Sequence, residues 1–154
     1  MGALKVWRWG STSLARLNTC HPKLQAVANR ALELSMVDIT VVCGHRSVEE
    51  QQRLYAIGRT TEANHPPVTY VDGEDRKSRH NYEPSLAVDL APYIKNRGIA
   101  WDDGVAWGAL ERAMKRAAEE LGIGVEWGGD WTSFVDKPHW QLKGPVPRLL
   151  RSAA

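Results

Sequence analysis

Apolar positions first recur with helical spacing after Pro22, where Leu24, Val27, Ala28, Ala31 and Leu32 fall on one face of a 3.6-residue repeat. A proline at a first helical position costs nothing, because its missing N–H would be unpaired there anyway, so a helix is predicted from Pro22 to near Ser35. Residues 39–43 form a short β-branched run closed by Gly44, which reads as a mostly buried strand delivering His45 and Arg46 to its end. Ser47 with Glu50 three positions on makes a capping box, and Gln51, Leu54 and Tyr55 continue one helical face until Gly58. Residues 59–79 show no period, only prolines, Asp72-Gly73 and many charges, which predicts a long surface loop bordering a cleft.

The pattern then changes to apolar runs. Residues 86–91 read as a second buried strand broken by one carboxylate, Asp89, and ended by Pro92. Asp102 and Asp103 can cap a long helix with Trp107, Leu110, Met114, Ala117 and Leu121 on one face and Gly122 as its stop. Its Glu111 and Lys115 form an i,i+4 pair on a solvated face. Residues 125–127, a turn at Gly128-Gly129 and residues 138–142 complete the alternation. The sum is an α+β fold, a small antiparallel sheet with packed helices and long active-site loops. At 154 residues the chain is expected to be a single domain, 1–154, with a short basic tail at about 143–154.

Composition narrows the function classes. Apolar residues make up 43% and charged residues 25% of the chain, ordinary values that exclude disordered and fibrous classes. A formal net charge of +2 lacks the basic excess of a nucleic-acid binder, so no nucleic-acid partner is expected. No apolar run reaches the length of a membrane span, and the first residues lack a signal peptide's apolar core. Val6 stands where a myristoylation motif at Gly2 needs Ser or Thr. Cys20 and Cys43, in no C-x-x-C pair, read as buried reduced thiols.

Three polar side chains stand where this pattern puts buried or strand-end positions: His80, Asp89 and His139. An ionised carboxylate inside an apolar strand is costly unless it is paired or binds a cation. Two imidazoles and one carboxylate make the open kind of zinc set, with a fourth position left for water. Asp136, three residues before His139 and followed by Lys137-Pro138, can be carried back over such a metal as a proton acceptor. Arg46 can hold a substrate carboxylate or an oxyanion, with Gln51 one helical turn on. Each residue alone has a plainer reading: single histidines near strand ends are commonly structural, and strand-end carboxylates often cap turns or pair with arginine. His21, His45 and His65 are read as structural or solvent-facing, with His45 nearest the site.

These residues carry a resemblance. Ser78-Arg79-His80-Asn81-Tyr82-Glu83-Pro84-Ser85-Leu86-Ala87-Val88-Asp89, then Asp136-Lys137-Pro138-His139-Trp140, resemble the motifs of the zinc D,D-carboxypeptidase and L-alanyl-D-glutamate endopeptidase family of the VanY type. Cys43-Gly44-His45-Arg46-Ser47, with Gln51, Leu54, Tyr55, Gly58, Arg59 and Thr60, is similar to that family's first motif. Within the family the chain most resembles bacteriophage endolysins that cut the peptide stems of peptidoglycan. The resemblance implies a hedgehog/D,D-peptidase-like fold and Zn2+ on His80, Asp89 and His139. It also implies Asp136 as general base, Arg46 as substrate and oxyanion clamp, and Gln51 and Ser78 as substrate-binding residues.

Two departures stand out: the step from His80 to Asp89 is longer than in many relatives, and many relatives carry Glu in place of Asp136. The expected activity is hydrolysis of the L-alanyl-D-glutamate bond by a monomer held in the host cytoplasm until a separate membrane pore releases it to the wall. The rival readings are a D-alanyl-D-alanine carboxypeptidase, a non-hydrolytic zinc wall-binding module, and a glycosidase using Glu126 and Asp130.

Overall fold

The computed structural model describes residues 6–73 and 76–146, so most of the expected basic tail and the first five residues lie outside the described residues. Helix α1 spans Ser11–Leu17, α2 Pro22–Leu34, α3 Val48–Ala56 and α4 Gly104–Leu121. The strands are β1 Asp38–Cys43, β2 Ala87–Ile94, β3 Gly98–Ile99, β4 Val125–Trp127 and β5 His139–Leu142. The sheet is antiparallel in the order β1-β2-β5-β4, with β3 paired to β2, which gives the α+β architecture expected.

Helices α2 and α4 pack together over the sheet because both have a clean apolar stripe and defined ends. Pro22 opens α2, and the His21 imidazole caps it by accepting from the Lys23 N–H at 3.1 Å. Asp103 caps α4 through the Ala106 N–H at 3.1 Å, and Gly122, with φ 65°, closes it in a left-handed turn. Leu24, Val27, Leu110 and Met114 from the helices meet Val41, Val88, Leu90 and Trp140 from the sheet, all essentially without solvent exposure. Each such side chain contributes about 1.5–3 kcal/mol relative to exposure. Leu121 departs from expectation and is exposed, because the chain leaves the helix at Gly122 and Ile123 packs against the core instead.

Two further differences have local causes. Strand β2 does not stop at Pro92 but runs on to Ile94. The Leu90 N–H reaches the Pro138 carbonyl, so Pro92, two residues on, turns its missing N–H to the same side. On that side β5 pairs only Ala87 to Asp89 and β3 only Tyr93 and Ile94, so no ladder bond is lost. Helix α1, absent from the sequence reading, has one buried apolar residue, Leu17, and hence no stripe to detect. It lies along the free edge of β1, where Ser13 Oγ accepts from the Val41 N–H at 2.9 Å and Arg16 donates to the Val41 carbonyl at 3.0 Å. These contacts cover an edge that would otherwise be open to pairing.

Candidate active site

The adjacent central strands β2 and β5 bring the site together. Their register sets Asp89 opposite His139, and on the other side Cys43 at the end of β1 opposite Asp89. His80 arrives from a short 3-10 turn, Arg79–Asn81, which Ser78 caps by accepting from the His80 N–H at 3.2 Å. The turn is pinned to the β1 end, since the Arg46 N–H donates to the His80 carbonyl at 2.8 Å and the Asn81 amide donates to the Arg46 carbonyl at 2.9 Å. Between His80 and Asp89 the chain is held by Ser85, which donates to the Ala87 carbonyl at 2.6 Å.

Asp89 is the centre of this geometry. Its Oδ1 lies 3.1 Å from His80 Nε2 and 3.5 Å from His139 Nδ1, and its Oδ2 lies 3.5 Å from an Arg46 guanidinium nitrogen. The two imidazole rings stand edge to face with centroids 5.1 Å apart. His80 Nδ1 lies 2.7 Å from the Gly44 carbonyl, which can only accept, so the proton sits on Nδ1. Burial alone would push the Asp89 carboxyl up, but the facing histidines hold it far below the usual carboxylate range. Burial likewise presses the His80 imidazole down, yet the Asp89 charge and hydrogen bond lift it to about 10.

Cys43 is half-buried rather than buried, and it belongs to this cluster. Donor atoms of Cys43, His80 and Asp89 lie within 4.8 Å of one another, a candidate metal site among the described residues. The sequence pattern points only to a buried, reduced thiol here. Its one signal was position, at the end of the strand that delivers Arg46.

The other expected residues divide into those that face the cleft and those that support it. Arg46, Ser78, Asp136 and His139 line a cleft of about 660 Å³ whose walls carry Tyr70, Trp131 and Phe134. Asp136 sits above His139 in a tight turn, its carbonyl accepting from the His139 N–H at 3.2 Å and its own N–H donating to the Gly128 carbonyl at 2.9 Å. Burial, and next the Asp89 charge, raise its pKa above the ordinary 3.8. Gln51, expected to meet substrate, is fully buried. Its oxygen accepts from Arg46 at 2.8 Å and its amide donates to Thr69 Oγ1 and the Val71 carbonyl at 3.1 and 2.8 Å. It therefore ties the guanidinium to the 59–79 loop. His45 turns away from the cluster to the Tyr82 carbonyl at 3.0 Å, and His65 is exposed.

The carboxylates of the glycosidase reading are engaged elsewhere. Asp130 pairs with Lys115 at 3.1 Å, and Glu126 accepts from Trp131 and Gln141 at 2.8 and 3.3 Å. Neither lines the cleft.

Comparison with known proteins gives the same direction as the cluster. The L-alanyl-D-glutamate peptidase of Escherichia phage T5 is 35% identical over 130 residues, covering 84% of this chain and 85% of that protein. The peptidoglycan L-alanyl-D-glutamate endopeptidase CwlK of Bacillus subtilis is 40% identical over 110 residues, 69% of this chain and 61% of that one. The crystal structure of the L-Ala D-Glu endopeptidase ChiX of Serratia marcescens superposes with a TM-score of 0.67 at 31% identity, over 88% of this chain and 90% of that one. The model of the phage L-alanyl-D-glutamate peptidase family matches residues 5–141, and the chain belongs to that family.

Proposed function

We propose that the protein hydrolyses the amide between L-alanine and D-glutamate in the peptidoglycan stem, with a zinc ion held by His80, Asp89 and His139. The observation that carries this reading is the convergence of both imidazoles on one Asp89 oxygen, at 3.1 and 3.5 Å. The donor set fits zinc: two nitrogens and one carboxylate, each imidazole anchored by a protein oxygen at its far nitrogen. His139 is the better third donor than Cys43, whose thiol faces the Arg46 guanidinium at 3.6 Å and donates to the Gly44 carbonyl at 3.5 Å. An open three-ligand set also leaves room for water, as catalysis requires.

When bound, zinc supplies a Lewis acid for the scissile carbonyl and an acidified water. The chain's own residues do the rest. Asp136, made more basic by burial and by Asp89, takes the proton of the attacking water at its carboxylate and returns it to the departing D-glutamate nitrogen. Arg46, held flat by Gln51, presents guanidinium N–H groups to the oxyanion that develops on the L-alanine carbonyl. With a stem peptide in the cleft, the aromatic walls at Tyr70, Trp131 and Phe134 would shield the reacting groups from solvent and so strengthen both interactions. Peptidoglycan is thus the partner, and among the described residues no helix is long and apolar enough to cross a membrane. Release of the protein to the wall through a separate pore completes the proposal.

Substitution separates the roles. Asp136→Asn should lower release of new amino termini from purified walls about 10²–10⁴-fold while zinc content by elemental analysis stays at one per chain. His139→Ala should lose the zinc and Cys43→Ser should keep it. Undiminished cleavage by Asp136→Asn, or zinc lost only from Cys43→Ser, would overturn these assignments.

A further inference from the structure

The far nitrogen of His139 opens a hydrogen-bond chain whose direction is fixed by its last member. His139 Nε2 lies 2.8 Å from Gln141 Oε1, the Gln141 amide nitrogen lies 3.3 Å from Glu126 Oε2, and Trp131 Nε1 donates to Glu126 Oε1 at 2.8 Å. Trp131 is a donor only, so it holds the carboxylate in place, and an ionised carboxylate can only accept. Gln141 must therefore turn its NH2 toward Glu126 and its oxygen toward His139. That oxygen in turn requires a proton on His139 Nε2, so Nδ1, 3.5 Å from Asp89, is the ring nitrogen left to give up its proton to a metal. The register makes the chain possible, because β4 and β5 set Glu126 directly opposite Gln141 and side chains of directly opposed residues share one face of the sheet. The Trp131 ring also rests against His139, with centroids 5.1 Å apart, so one side chain both orients the carboxylate and walls the imidazole.

We propose that Gln141 and Glu126 are positioning residues that select the Nε2–H tautomer of His139, and so prepare Nδ1 as a metal donor before any metal arrives. The proposal rests on the reading of His139 as a ligand. Glu126 acts two hydrogen bonds removed, through Gln141, and does not line the cleft, whereas Gln141 forms part of its wall. An anchored far nitrogen fixes both the ring orientation and the donor lone pair, and loss of such a partner typically weakens metal binding about 10–100-fold.

The polarity of the chain provides the test. Zinc affinity is measured by chelator competition on the full chain, and the His139 tautomer by 15N NMR of the zinc-free protein. Gln141→Leu should weaken zinc about 10–100-fold and leave a mixture of tautomers. Gln141→Glu sets two carboxylates against each other and should weaken zinc as well. The double variant Glu126→Gln with Gln141→Glu reverses the middle bond but still offers His139 an acceptor, and it should restore both the affinity and the Nε2–H signal.

A residue that merely fills space would give no such rescue. Zinc affinity unchanged in Gln141→Leu, or a double variant no better than Gln141→Glu alone, would overturn the proposal. His139→Ala serves as the control: if it too leaves zinc affinity unchanged, the ligand assignment has failed rather than the positioning role.

Discussion

Asp89 can remain ionised in a mostly buried strand only because a guanidinium and two imidazoles surround it, and the protonation of the pair it forms with His80 has a measurable consequence. His80 binds its proton more tightly in the fold, at about 10 against an ordinary 6.5, so its contribution to stability is complete below 6.5 and is lost as pH climbs toward 10. Asp89, held below its ordinary 3.8, contributes above that value and loses its contribution as pH falls through its lowered value. In chelator-treated protein the pair is therefore most stabilising between 3.8 and 6.5. The difference in urea midpoint between the native chain and His80→Gln should shrink as pH rises from 6.5 toward 10. A difference constant over that range would contradict the assignment. In the proposed site zinc would take the nitrogen that carries this proton, so loading near neutral pH should release about one proton.

At the scale of elements, two strand ends and a close approach of the chain set the distance between Asp136 and the cluster of His80, Asp89 and His139. A Cβ on Gly128 would collide with the Asp136 carbonyl oxygen and lie 3.1 Å from the His139 Cβ, so the 136–139 turn rests directly on that glycine. Gly128→Ala should therefore displace Asp136 relative to His139. A stability cost of about 1–3 kcal/mol is expected, with a loss of wall-cleaving activity larger than that cost explains. Gly104→Ala, where the added carbon meets nothing within 4 Å, is the control and should leave both unchanged. Equal activity in the two variants would show that the turn tolerates movement. Elements with an apolar stripe or an apolar run, α2, α4, β1 and β2, could be read from sequence because burial on one side imposes a period. Helix α1 and the passage of β2 through Pro92 could not, since both depend on what lies alongside: an open strand edge in one case, a gap between neighbouring strands in the other.

The same distinction runs through the site. His80, Asp89 and His139 were legible because a polar side chain inside an apolar pattern needs a reason. Gln141, Glu126 and Cys43 fitted their local patterns, polar at alternating strand positions or small and apolar at a strand end, and only the register of β1, β2, β4 and β5 shows what they face. Gln51 stands one helical turn from Arg46, a spacing that points to substrate, but its burial, visible only in the fold, makes it a bracket between helix and loop.

For the molecule as a whole, two imidazoles, two carboxylates and a guanidinium line one cleft in a chain of the phage L-alanyl-D-glutamate peptidase family. Mass spectrometry of fragments from purified peptidoglycan tests that combination most directly, with the protein used as isolated, after chelation, and after zinc is returned. The expected products are stems cut between L-alanine and D-glutamate, each cut freeing one D-glutamate amino terminus, lost on chelation and restored by zinc. Cleavage that persists in excess chelator, trimming confined to terminal D-alanine, or new reducing sugar ends in place of amino termini would contradict it.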